Sequence, residues 1–241
     1  MYQIVLLLAA AAGTANSHSL EWGSCKRVSP VADFQAEKFE GLWFVNEIFS
    51  TSSDCMTMTF NLTGDGSFKV TEAREFHPLE MLGLDHRFSN EGTLDGAGSD
   101  PGRFKVTWPG DSDIFGSFGS REAIIMDTDY TTFGLLMECQ DFKLFKRISI
   151  AILSRKKTLD SSVVARIKTD LEKANYDVED FDQINHNTCS PAPAFDVGLD
   201  EDGTFSMNDA PLNIPDLPDL GELPADVVPD LNDILGARRR R

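Results

Sequence analysis

The sequence predicts a mainly β protein: an eight-stranded antiparallel up-and-down β-barrel, with one C-terminal α-helix packed outside it and a disordered tail beyond. Three observations predict it. Apolar and polar residues alternate with a period of two through the middle of the chain, turn residues interrupt that alternation at short intervals, and one stretch switches to helical spacing.

Met56, Met58, Phe60 and Leu62 alternate with Thr57, Thr59 and Asn61, Phe68 and Val70 with Lys69 and Thr71, and Phe104, Val106 and Trp108 with Lys105 and Thr107. Such alternation gives a strand one apolar and one wet face. Thr63-Gly64-Asp65-Gly66 separates the first two runs, and Asp-Gly suits a tight hairpin. Further breaks fall at Asp95 to Gly102 and at Pro109 to Ser120. Strands are therefore expected near 43–50, 55–62, 67–75, 84–94, 103–108, 121–128, 131–139 and 144–155. Eight such strands close a barrel with room for one small ligand.

The helix follows the last strand. Asp160 is placed to cap it, and Val163, Val164, Ile167 and Leu171 share one face, with Arg166, Lys168 and Glu172 elsewhere. Ile148, Ile150 and Ile152 have the parity to meet that face from outside the barrel, leaving Ser149, Ala151 and Leu153 inward with Arg155.

The two ends differ from the middle. Residues 4–12 form an apolar run, and Gly13-Thr14-Ala15 supplies the small residues of a cleavage site, so residues 1–15 read as a signal peptide. That run is too short to span a bilayer, which takes about 20 residues, and no later segment is apolar enough. Residues 190–241 hold seven of the 11 prolines and carry nine Asp and two Glu against four Arg. A segment of this composition buries too little apolar surface to offset chain entropy, so an acidic disordered tail is expected there and a barrel domain over 16–189. Pro-Asp-Leu recurs at 215, 218 and 229, and Arg238 to Arg241 end the chain. With a net charge of −17, no nucleic acid partner is expected.

Four cysteines, Cys25, Cys55, Cys139 and Cys189, imply two disulfides in an oxidising compartment, with three pairings open. Other candidate sites are weaker. Asp111-Ser112-Asp113-Ile114-Phe115-Gly116 partly copies a calcium loop, but Phe115 takes a ligand position and the segment reads as a surface loop. The four histidines show no metal-ligand spacing, so neither a metal nor a cofactor is expected. Asn61-Leu62-Thr63 is a glycosylation sequon at an outward position.

Gly41-Leu42-Trp43 on the first strand, Thr128-Asp129-Tyr130 at a late turn and Arg155 closing the last strand occur in this order along the chain. Together they resemble the lipocalin family over about residues 25–189. The resemblance implies that Trp43 plugs one end of the barrel, that Gly41 allows the tight entry before it, and that Arg155 lies across the indole. Residues 129–139, the helix after Arg155 and the stretch from Tyr176 to Cys189 are most similar to the apolipoprotein D and Lazarillo branch. That likeness implies the bridges Cys25 to Cys139 and Cys55 to Cys189.

Inward parity then selects the calyx lining: Val45, Met58, Phe60, Phe68, Val70, Phe104, Val106, Phe133, Leu135, Met137, Ala151 and Leu153. Such a lining binds by removing ligand surface from water, about 25 cal/mol per Å², and methionines adapt to several shapes. Gly134 and Ala151 suggest spare volume. Glu47 and Glu72 also have inward parity; a solvated rim is expected for both, with Glu72 placed to orient a ligand hydroxyl. The function the resemblance implies is a secreted, extracellular carrier of a small hydrophobic molecule, a lipid, sterol, retinoid, carotenoid or bilin, with a cell-surface receptor as a second partner. Two other classes stand beside it: a lipocalin-fold isomerase acting on a lipid through a free cysteine, and an interaction protein working through its acidic tail. All four cysteines match bridge positions, so no enzyme is expected.

Overall fold

The computed structural model describes residues 19–76, 79, 85–96, 100–109, 121–142, 144–190, 193, 195–200 and 204–208. The expected signal peptide, the loop holding Asp111 to Gly116, and the chain from 209 onward lie outside the described residues.

Strand β1 (Ser19–Trp22) and a short helix α1 (Ala36–Phe39) precede the barrel. Eight strands then follow: β2 (Gly41–Phe49), β3 (Ser53–Leu62), β4 (Phe68–Phe76), β5 (His86–Gly96), β6 (Arg103–Thr107), β7 (Arg121–Thr128), β8 (Phe133–Asp141) and β9 (Phe145–Ser154). Each lies antiparallel to the next. β9 returns to β2, with Val45 opposite Leu153 and Ile48 opposite Ala151, so the sheet closes on itself. Toward the other end β9 takes β1 as its neighbour, Ser19 opposite Ile148, and β2 takes β10 (Phe181–Gln183).

Alternating side chains divide the apolar residues into two cores. The interior core holds Trp43, Val45, Met58, Phe60, Phe68, Val70, Leu94, Phe104, Val106, Ala151 and Leu153. The outer core joins Ile148, Ile150 and Ile152 to Ile167, Leu171 and Tyr176. It is built on α2 (Ser161–Lys173), whose N-terminus is capped by Asp160: its Oδ1 accepts from the Ser162 amide at 2.8 Å. Burying one such Ile or Leu contributes about 1.5 to 3 kcal/mol, which fixes the helix on the wall.

Phe133, Leu135 and Met137 belong to this outer core, against the expectation that they line the calyx. Their cross-strand partners are Ser154, Ile152 and Ile150, so Gly134, Leu136, Glu138 and Gln140 face inward instead. The reason is that both faces of β8 are covered, one by the interior and one by the helix and N-terminal arm. Residues 133–140 are all buried, and an apolar run of that kind carries no sign of which face is which. Gly134 is not spare volume either: a Cβ there would stand 3.1 Å from the Phe39 ring, which occupies the space.

Glu47 is likewise corrected. The β2–β9 register shifts between Val45 and Glu47, and this bulge at Asn46 turns Glu47 out of the interior, opposite Ile152. There it pairs with Lys168 Nζ on α2 at 2.5 Å. Asn46 holds the bulge by donating to Ser154 Oγ at 2.6 Å and accepting from the Leu159 amide at 2.8 Å.

Both disulfides are present, Cys25 to Cys139 and Cys55 to Cys189, with Cα atoms 6.0 and 5.5 Å apart. They span 114 and 134 residues, and the chain-entropy account gives loops of that length about 4 to 5 kcal/mol each. The chain after Cys189 does not become irregular at once. β11 (Phe195–Leu199) pairs parallel with β5, Phe195 beside His86 and Leu199 beside Asn90, and β12 (Phe205–Asn208) folds back on β11. The barrel unit therefore extends past the boundary expected at 189. No helix among the described residues is long and apolar enough to cross a membrane.

Candidate ligand calyx

One end of the barrel is sealed. Trp43 is fully buried and donates from Nε1 to the Phe39 carbonyl at 2.8 Å. Arg155 Cζ sits 3.7 Å from the Trp43 ring centroid, a cation–π stack worth about 0.5 to 2 kcal/mol. The same guanidinium donates to five carbonyls: Tyr130 from Nε, Leu42 from Nη1, and Lys38, Phe39 and Glu40 from Nη2, all at 2.9 to 3.2 Å. Burial pulls its pKa below the ordinary value, yet an arginine keeps its charge. Gly41 has φ +101°, and a Cβ there would stand 3.4 Å from Arg155 Nη1.

The Thr128-Asp129-Tyr130 turn is a hydrogen-bonded cap beside that seal. Thr128 Oγ1 donates to the Phe133 carbonyl at 2.7 Å and accepts from the Tyr130 amide. Asp129 Oδ1 accepts from the amides of Thr131, Thr132 and Phe133 at 2.6 to 3.0 Å. Partial burial works to raise the Asp129 pKa, but these backbone bonds outweigh it and hold the carboxyl below its ordinary value. Tyr130 adopts φ +67° and accepts on its hydroxyl from the Gln35 amide.

Above the seal, five phenylalanines form a ring of contacts. Phe34 meets Phe39 at 5.5 Å, Phe39 meets Phe60 at 5.0 Å, Phe60 meets Phe68 at 5.8 Å, Phe68 meets Phe104 at 5.6 Å, and Phe104 meets Phe34 at 6.0 Å. Phe60, Phe68 and Phe104 thus build the floor. Val45, Met58, Val70, Val106, Ala151 and Leu153 are in the same interior core, as expected from parity. Ile48, Met56, Leu94, Ala123, Ile125 and Leu136 join them, and sequence reasoning missed these six. Pairing β8 against the inward residues Ser149, Ala151 and Leu153 would have found Leu136.

The half of the barrel away from Trp43 is charged. Glu72 lies there opposite Met58, mostly buried, and pairs with Arg74 at 3.6 Å rather than standing on a solvated rim. Arg121 and Glu138 approach to 4.0 Å, Trp108 Nε1 donates to Glu138 at 3.4 Å, and Gln140, Ser149 and Arg147 share the inward parity of this region. The interior is therefore apolar beside the seal and charged beyond it. All four cysteines are bridged, so no thiol is present in the calyx, and no group of three or more potential metal ligands converges among the described residues.

No protein-family model matches the chain, and no curated protein matches it in sequence. Solved structures do match in fold. Insecticyanin from the tobacco hornworm Manduca sexta aligns over 77% of this chain and 98% of its own, with TM-score 0.58 and 18% identity. Apocrustacyanin C1 aligns over 71% and 93%, with TM-score 0.58 and 15% identity. Lobster apocrustacyanin A1 aligns over 70% and 92%, with TM-score 0.57 and 15% identity. These neighbours are lipocalins, and the closed eight-stranded barrel with its helix outside gives this chain the lipocalin fold.

Proposed function

We propose that the protein is a secreted carrier that holds one small hydrophobic molecule, of the sterol, fatty acid, retinoid, carotenoid or bilin type, in its calyx. The observation that carries this reading is the apolar wall of Val45, Met58, Val70, Val106 and Ala151 standing above a floor sealed by Trp43 and Arg155. The pairing of the bridges, N-terminal arm to β8 and β3 to the C-terminal segment, supports kinship with the apolipoprotein D and Lazarillo branch. Disulfides and a signal-like N-terminus support export, and the exposed Asn61 supports glycosylation on the way. The isomerase alternative loses its nucleophile, because every cysteine is bridged. Protein purified from its native source, extracted with organic solvent and analysed by absorption and mass spectrometry should release one apolar compound in roughly equimolar yield. An extract without any such compound, together with no saturable binding of apolar probes, would remove the reading.

A further inference from the structure

The charged half of the calyx holds an arginine that the protein itself leaves incomplete. Three strands set Arg121, Gln140 and Arg147 side by side, Arg121 opposite Gln140 and Gln140 opposite Arg147. Arg147 has the parity of Ser149, Ala151 and Leu153, so it stands on the interior face of β9. Two of the three inward arginines face carboxylates: Arg74 meets Glu72 at 3.6 Å, and Arg121 meets Glu138 at 4.0 Å. Arg147 meets none. Its Nε and Nη2 are buried and have no hydrogen-bond partner.

Those two nitrogens are not an arbitrary pair. They form one edge of the guanidinium, with parallel N–H bonds spaced to receive both oxygens of a carboxylate. A buried charged donor left unmade is disfavoured, and most such groups in folded proteins find a partner. Nearby carboxylates do not supply it: Asp141 accepts from the Cys25 amide, and Glu21 pairs with Lys146. Among the described residues the interior therefore carries three guanidiniums against two carboxylates, with the surplus charge at Arg147.

We propose that the Nε and Nη2 edge of Arg147 receives the carboxylate of an amphipathic ligand, whose apolar chain lies against Val45, Met58, Val70 and Ala151 below. This rests on the carrier reading and narrows it from hydrophobic molecules in general to anionic amphiphiles. The head group binds by a two-pronged, charge-assisted hydrogen bond, and the tail by removal from water.

The test is competition against a fluorescent apolar probe on the full chain, using dodecanoate, dodecan-1-ol, dodecylamine and acetate. Dodecanoate should displace the probe at about tenfold or more lower concentration than dodecan-1-ol, with dodecylamine weakest among the long chains and acetate inert. In Arg147→Gln the acid-to-alcohol ratio should fall to near one while the alcohol itself is unaffected, and Arg147→Lys should keep part of the preference. Equal displacement by acid and alcohol in the unaltered protein overturns the proposal and leaves the carrier reading standing. A preference unchanged in Arg147→Gln, or acetate competing as well as dodecanoate, overturns it too. Should Arg147→Gln fail to fold, the ratio in the unaltered protein decides. Failure of every long-chain compound to displace the probe would sink the carrier reading itself.

Discussion

Arg155 reaches from the end of β9 across the barrel floor to Trp43 on β2, its guanidinium carbon 3.7 Å from the indole centroid. By bonding the carbonyls of Lys38, Phe39, Glu40, Leu42 and Tyr130, it ties α1, β2 and the β7–β8 turn to one side chain.

Arg155→Ala removes the stack and leaves several part-buried carbonyls short of a donor. The expected loss is about 2 to 4 kcal/mol of unfolding free energy, measured by urea denaturation. Arg155→Lys should recover little, since an ammonium cannot bond five carbonyls while stacking on a ring.

His186 makes stability pH-dependent. Burial depresses its pKa below the ordinary 6.5, and its Nε2–H donates to the Val45 carbonyl at 2.8 Å, so the ring is held neutral. A folded pKa below the unfolded one means that the unfolded chain binds the proton first on acidification. The stabilising contribution is therefore complete above pH 6.5 and is lost as pH falls below it toward the folded value. Urea midpoints taken from pH 7.5 to 5 should decline, and the decline should flatten in His186→Gln. The carboxyl of Asp129, held below 3.8, titrates outside that window.

The C-terminal hairpin is part of the wall. Ending the chain after Ser190 removes β11 and strips Arg87 of its partner Asp196, leaving the upper edge of β5 unpaired. Amide exchange over His86 to Asn90 should accelerate markedly in that truncation. Ending after Asn208 should leave it unchanged.

Leu135 and Leu136 separate the two faces of β8. Leu135→Ala opens the helix-facing core and should destabilise by about 2 to 4 kcal/mol without altering probe affinity. Leu136→Trp fills the calyx side and should weaken probe binding at least about tenfold while the helix stays docked.

Where the sequence was legible, one face of an element was wet. Strands β3, β4 and β6 expose Thr, Lys and Asn on one side, and the apolar residues that alternation placed inward there, Met58, Phe60, Phe68, Val70, Phe104 and Val106, lie in the interior core, although Met56 was missed. β8 exposes neither side, so its faces were exchanged. Glu47 was misplaced because a single-residue bulge inverts parity without any composition signal. The pairing of 195–199 with 205–208 was hidden by averaging over an acidic, Pro-rich tail, although Phe195, Val197 and Leu199 alternate. The charged upper half was invisible for the opposite reason. Glu138, Gln140 and Arg147 look like ordinary outward residues until the register places them inside.

The central claim is that the interior accepts a guest. Titrating the folded, disulfide-intact protein with a fluorescent fatty-acyl probe tests it most directly, beside the variant Ala151→Trp, which places an indole across the chamber. Saturable binding of about one probe per chain, lost in Ala151→Trp while both proteins unfold cooperatively, is the predicted result. Absence of saturable binding, or equal binding by the filled variant, would contradict it.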